Sequence, residues 1–423
     1  MSTILLPVLF AALAAPNVVF ISVDTLRADH LGAYGFHRNT TPHLDRLAEQ
    51  SLLFEDALCE QPQTGPSMIA MLASRVPRVT GAIRNGVPLP PGTPTAPMIF
   101  ESAGYQTAAI VSNWNLKPKL SGLDRGFQHY DADFGRGFLG REKDEIAADE
   151  VTDRALAWLA QRDTARPMFF WVHYMDPHAP YKKKRGFEEQ LGMTDNTRGR
   201  RIDPPEDRYQ TEVAFADQQI GRLLDALPRE NTFIVFTADH GEGLGEHNEW
   251  GHSRYLYQTT MHIPLFIHGP GVAPGRSDAP VRGIDIGPTL LGLAGLAAPE
   301  SMQGQNLQAA LPQSGTPREV ETYGGGVPDG EDVREALATR PPDRQAIVID
   351  GWKLIRNEGG ARELYNLRDD PEEEHNRVED DPERAADLEA TLETWHRETP
   401  RNQSTAEDLS DEDLRMLEAQ GYL

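Results

Sequence analysis

Three side chains that can hold a metal ion stand directly behind apolar runs. Asp24 follows residues 17–23, and Asp239 and His240 follow residues 232–238. Two carboxylates and an imidazole form a donor set for one divalent cation. Carboxylates hold hard cations such as Ca²⁺, and an imidazole moves the preference towards Zn²⁺ or Mn²⁺. Thr64 lies in Gln61-Pro-Gln-Thr-Gly-Pro-Ser-Met68, just ahead of Pro66, a residue suited to the first turn of a helix. Helix N-termini attract anions, and a hydroxyl placed there beside a cation can be lowered in pKa and used as a nucleophile. The same hydroxyl could equally cap the helix. His178, a few residues beyond the run 168–174, adds a second imidazole.

These groups can meet only if strand ends are brought together. Asn17-Val-Val-Phe-Ile-Ser-Val23, bounded by Pro16 and Asp24, reads as a strand buried on both faces. Similar runs occupy 105–111, 168–174, 231–238 and 263–268. Helical spacing falls between them, over 41–49 (Thr41 as cap, Pro42 in the first turn), 66–74, 95–103, 149–162, 209–227 and 284–293. Strands alternating with helices predict an α/β fold, a mainly parallel central sheet with helices on both faces. Ligands bind outside the carboxyl ends of the strands of such sheets. Asp24, His178, Asp239 and His240 all fall there.

Composition changes after residue 310. Residues 311–345, rich in Pro, Gly and charge, read as a loop or linker. Close-set runs at 345–350, 352–355 and 363–365 predict a small antiparallel sheet. Residues 346–423 then form a C-terminal subdomain with an acidic helical tail. From residue 361 onwards there are 20 acidic and 7 basic residues, the pattern of a solvated helical surface.

The chain has 423 residues, 39% hydrophobic and 25% charged, a globular balance. Its formal net charge of −24 repels phosphate backbones and argues against nucleic acid as a partner. The single cysteine, Cys59, excludes an intramolecular disulfide and a multi-thiolate metal site. The apolar run over 4–15 is too short to cross a bilayer. With Ala12, Ala14 and Ala15 behind it, it reads as a signal peptide over 1–15, although no Lys or Arg precedes it. That predicts a periplasmic or secreted protein. The alternative is an apolar arm on a cytoplasmic one. No later segment is long and apolar enough for an integral membrane span.

Ordered motifs add a resemblance. Pro16-Asn-Val-Val-Phe-Ile-Ser-Val-Asp-Thr-Leu-Arg-Ala-Asp-His-Leu-Gly-Ala-Tyr-Gly35, Thr41-Pro-His-Leu-Asp45, Gly104-Tyr-Gln-Thr107 and His178-Ala-Pro-Tyr181 come first. Thr237-Ala-Asp-His-Gly-Glu242, His252 with Leu256-Tyr257, Ile263-Pro-Leu265, Gly351-Trp-Lys-Leu-Ile355 and Glu363-Leu-Tyr-Asn-Leu367 with Asp370-Pro371 follow. Together they resemble the sulfatases of the alkaline-phosphatase-like superfamily. The likeness runs from about residue 16 to about residue 380. It implies a catalytic domain over 16–310 and one divalent metal ion held by Asp24, Asp239 and His240. Thr64 would be the nucleophile and a fourth ligand. His178 and His252 would contact the anion of a small ester substrate or handle the leaving-group proton.

The departures from the family pattern carry chemistry of their own. The Cys/Ser-x-Pro-x-Arg signature reads Thr64-Gly-Pro-Ser-Met68 here, and threonine cannot become the formylglycine aldehyde, so no formylglycine is expected. Cys59-Glu-Gln-Pro-Gln63 has its proline one place late. The second Asp after the first strand is Thr25, and Gly-Lys-Trp-His appears as Ser112-Asn-Trp-Asn115, which leaves Asn113 as an expected substrate contact. A formylglycine hydrate expels sulfate by collapsing to the aldehyde, which a sulfated threonine cannot do. A phosphorylated threonine can be resolved by in-line attack of water or of an alcohol. The expectation is a metal-dependent sulfatase-like hydrolase of sulfuric or phosphoric esters that uses Thr64. The alternatives are a phosphodiesterase, a phosphonate monoester hydrolase or a phosphoglycerol-type transferase; an inactive anion-binding relative; and an interaction module working through the acidic C-terminus.

Overall fold

The computed structural model describes residues 14–135, 143, 145–193, 204–322 and 344–402, with 410, 413–415 and 417. Residues 1–13 of the expected signal peptide and 323–343 of the expected linker lie outside the described residues. Eight strands make the central sheet. They are β1 (Asn17–Val23), β2 (Leu52–Phe54), β3 (Gln106–Val111), β4 (His129–Asp131), β5 (Met168–Tyr174), β6 (Thr232–Ala238), β7 (Leu265–His268) and β8 (Gly275–Ser277). Their order across the sheet is β8-β2-β7-β6-β1-β5-β3-β4. Only β7 runs against its neighbours; the other pairings are parallel. The expected mainly parallel α/β sheet is therefore the fold.

β1 lies between β5 and β6, and Val18 through Val23 expose nothing to solvent. A strand covered on both faces needs apolar side chains on both, which is why its sequence does not alternate. Burying each Val, Ile or Phe contributes about 1.5–3 kcal/mol. The helices Pro42–Ala48, Ala148–Gln161 and Pro205–Ala226 pack together in one layer. Thr64–Ala73, Ala96–Ser102 and Ile286–Leu293 pack together in another.

The second sheet is antiparallel, in the order β9 (Arg318–Thr322), β10 (Arg344–Ile349), β11 (Trp352–Asn357), β12 (Arg362–Asn366). The helix Pro382–Glu398 sets Ala385, Leu388 and Leu392 against Ile347, Leu354 and Leu364 of that sheet. The stretch 311–345, expected to be a loop, thus contains strand β9 and the start of β10. The charges of Arg318-Glu-Val-Glu-Thr322 misled because they are buried and paired. Arg318 meets Asp56 at 2.6 Å, Glu319 meets Arg282 at 3.4 Å and Glu321 meets Arg78 at 2.9 Å.

Candidate active site

β1 and β6 pair in parallel with Val23 opposite Ala238, so the residues that follow, Asp24 and Asp239, are neighbours at the carboxyl edge. The Asp239 N–H donates to Val23 O at 3.2 Å, and the Asp24 N–H donates to Tyr174 O at 2.8 Å. Asp239 Oδ1 accepts the N–H of Thr25 at 3.1 Å and of His240 at 2.8 Å. The His240 Nδ1–H donates to Gly241 O at 2.9 Å, which leaves Nε2 with a lone pair. That Nε2 lies 3.5 Å from Asp239 Oδ2 and 3.9 Å from Asp24 Oδ1.

These last three atoms are buried and lack a hydrogen-bond partner among the described residues. They also lie close enough together to ligate one ion. Unpartnered buried carboxylate oxygens are costly, and a divalent cation would supply the missing partner for all three. Burial, joined by the charge of Asp24, pushes Asp239 well above the usual carboxylate range. Burial also opposes ionisation of Asp24, but the imidazoles of His178, His173 and His240 hold it below that range. Burial first, and then His252, keeps His240 neutral, the form that binds metals.

Thr64 is the first residue of its helix, with Gln63 at the cap position. The helix therefore begins two residues before the expected start at Pro66. A proline in the first turn forfeits no helical hydrogen bond. The threonine is not the cap. Its Oγ1 lies 3.4 Å from Asp24 Oδ2 and 3.2 Å from Asn113 Nδ2. The Gly65 N–H donates to Asn85 Oδ1 at 2.7 Å, and a Cβ at Gly65 would stand 2.8 Å from that oxygen. Ser67 Oγ donates to Asp239 O at 2.6 Å and ties this helix to the metal-ligand loop. Asn113 Nδ2 also donates to Asp24 Oδ2 at 2.5 Å.

His178 sits between two cis prolyl bonds, Asp176–Pro177 and Ala179–Pro180. Its ring centroid is 5.0 Å from that of His252, which is 4.5 Å from that of His240. His252 Nδ1 lies 3.0 Å from Glu242 Oε1. Burial works against a charged His252, yet the Glu242 carboxylate raises its pKa above the ordinary imidazole value. Asp24, Thr64, Asn113, His178, Asp239, His240 and His252 thus form one contiguous constellation.

Three further residues were not singled out from sequence. His173 Nδ1 meets Ser22 Oγ at 2.8 Å and Nε2 meets Asp24 Oδ2 at 3.4 Å. Its signal was a lone imidazole inside the apolar run of β5. Glu242 stood inside a quoted motif without a role. Asn85 had no local signal.

A family profile described as Sulfatase matches residues 16–296. The chain belongs to the sulfatase family. A second profile, N-sulphoglucosamine sulphohydrolase, C-terminal, matches residues 245–399. An uncharacterized sulfatase of Escherichia coli K12 is 27% identical, over 86% of this chain and 83% of its own length. An N-acetylglucosamine-6-O-sulfatase of Bacteroides thetaiotaomicron is 25% identical, over 86% of this chain and 87% of its own. The phosphonate monoester hydrolase of Agrobacterium radiobacter shares the fold, with a TM-score of 0.70 at 20% identity, covering 91% of this chain and 96% of that one. This sulfatase-family chain is accordingly an ester hydrolase. Among the described residues, no helix is long and apolar enough to cross a membrane.

Proposed function

We propose that the protein cleaves small esters of sulfuric or phosphoric acid with Thr64 as nucleophile. One observation carries this reading. Thr64 Oγ1, 3.4 Å from Asp24 Oδ2 and 3.2 Å from Asn113 Nδ2, stands beside three buried donor atoms that lack other partners. A divalent ion held by Asp24, Asp239 and His240 would acidify the hydroxyl and stabilise negative charge on the ester oxygens. Thr64 Oγ forms a bond to sulfur or phosphorus, its proton directed at Asp24 Oδ2, while the bond to the ester oxygen breaks. His178 or His252 gives that departing oxygen its proton. Water then attacks the same centre, and Thr64 recovers its hydroxyl. Asn113 orients the nucleophile. The apolar run over 4–15 supports an exported enzyme.

Threonine itself favours phosphorus as the reacting centre. No aldehyde hydrate is available to expel sulfate, whereas a phosphothreonine yields to in-line attack. A phosphonate or phosphodiester substrate is therefore the second reading. The test combines metal analysis, intact-mass detection of a phospho- or sulfo-threonine, and a panel of aryl sulfate, phosphate monoester, phosphodiester and phosphonate. Thr64→Ala is expected to lose about a thousandfold or more in kcat/KM on the best substrate. Unchanged turnover in that variant rejects the nucleophile. Metal binding without turnover of any ester leaves an anion-binding protein instead.

A further inference from the structure

The loop that follows His252 is gripped by the C-terminal sheet and by the loop behind its last strand. Thr322 Oγ1, at the end of β9, donates to the backbone carbonyl of Ser253, and both residues are buried. Ser253 has φ +84°, a left-handed conformation that L-residues resist. Arg344, opening β10, donates to Arg254 O at 2.6 Å and lies 4.2 Å over the ring of Tyr255. Tyr257 OH donates to Glu363 Oε2 at 2.8 Å, and the Gln258 N–H donates to Glu373 Oε2 at 2.6 Å. Each hold falls within six residues of His252, and the one from Thr322 falls on its neighbour.

We propose that Thr322 is a positioning residue. Its hydrogen bond to Ser253 O stabilises the left-handed turn that aims the His252 ring at His240 and His178. The inference rests on the reading of His252 as a contact of the substrate anion. It assigns the C-terminal sheet a part in the chemistry although that sheet supplies none of the seven residues above. Buried at both ends, that hydrogen bond ties the last residue of β9 to the turn beside His252. Losing it frees the turn to relax and swings the imidazole away, while the three metal donors on the central sheet stay in place.

The test uses the full chain and four variants: Thr322→Val, Thr322→Ser, His252→Ala and Thr322→Val with His252→Ala. Valine keeps the shape of threonine and suits a strand, and serine restores the hydroxyl. Thr322→Val is expected to lose about tenfold or more in kcat/KM on the best ester of the panel, with metal content unchanged. Thr322→Ser should recover most of that loss, and with His252→Ala in the background the loss should vanish. Amide exchange over residues 251–256 is read in the same proteins without reference to turnover. It should quicken in Thr322→Val and return to the native rate in Thr322→Ser. An equal loss in both backgrounds, or no loss at all, overturns the proposal. If no ester is turned over, or His252→Ala is fully active, the reading of His252 has failed instead. Amide exchange then decides alone, and an unchanged rate in Thr322→Val overturns the positioning role.

Discussion

Lys353 and Glu373, each 1% exposed, face one another at 2.8 Å where the C-terminal sheet meets the loop at Gln258. At the carboxyl edge of the central sheet, Asp24 and Asp239 are buried as deeply, yet among the described residues each keeps an oxygen with neither a hydrogen bond nor a lysine or arginine paired to it. One region closes its charges on each other. The other gathers like charges and leaves lone pairs converging on one point. An ion pair neutralises its own charge, and breaking it strands a charge. A converging, incomplete set is unstable alone and stable around a cation. The contrast separates architecture from chemistry without any comparison of sequences.

Changing each region in turn should give opposite signatures. Asp239→Asn removes a ligand charge and one of two like charges. Metal content should collapse, and ester turnover should fall by about a thousandfold or more. The metal-free variant should unfold no more easily than the metal-free parent, because two carboxylates no longer share one site. Bound metal at the parental level would remove the central-sheet half of the contrast. Lys353→Met strands Glu373 and should cost about 3–5 kcal/mol in denaturant unfolding, with metal content preserved. Adding Glu373→Gln removes the stranded charge and should return much of that stability. If the single and double variants are equally stable, the pair is not closed in the sense described.

What the sequence showed followed from how local each feature is. The buried strands β1, β5 and β6 are long apolar runs, and Asp24, Asp239 and His240 sit one or two residues past them, so strand pairing alone brings them together. β2, β4 and β8 have three residues each, too few for a period to register. Strand β9 was hidden because Arg318, Glu319 and Glu321 look solvent-facing until Asp56, Arg282 and Arg78 arrive from elsewhere. Asn85 reaches Gly65 only through the fold. His173 was visible as an imidazole in an apolar strand, but its partner Asp24 comes from the neighbouring strand. Convergence of one-residue signals was legible, and the partners that hold them were not.

Glu249 tests whether the contrast extends beyond the metal ligands. It lies in the loop between Glu242 and His252, is 2% exposed, and neither of its carboxylate oxygens has a hydrogen-bond partner among the described residues. Burial first, and then the charge of Glu242, raises its pKa to about 8 from the ordinary value of 4.5. Between those values the folded chain keeps a proton that the unfolded chain has released. Stability therefore falls as pH rises through that window, by at most about 1.4 kcal/mol per pH unit, and the decline ends above the folded pKa. Glu249→Gln carries no ionisable group, so its urea-unfolding midpoint should fall less across the window than that of the parent. Parallel curves would mean that Glu249 is solvated or paired, and the groups left without partners at this edge would shrink to the three converging donors. A flattened curve would extend the set of buried groups without partners along the loop towards His252, with Glu249 held there in its neutral, protonated form.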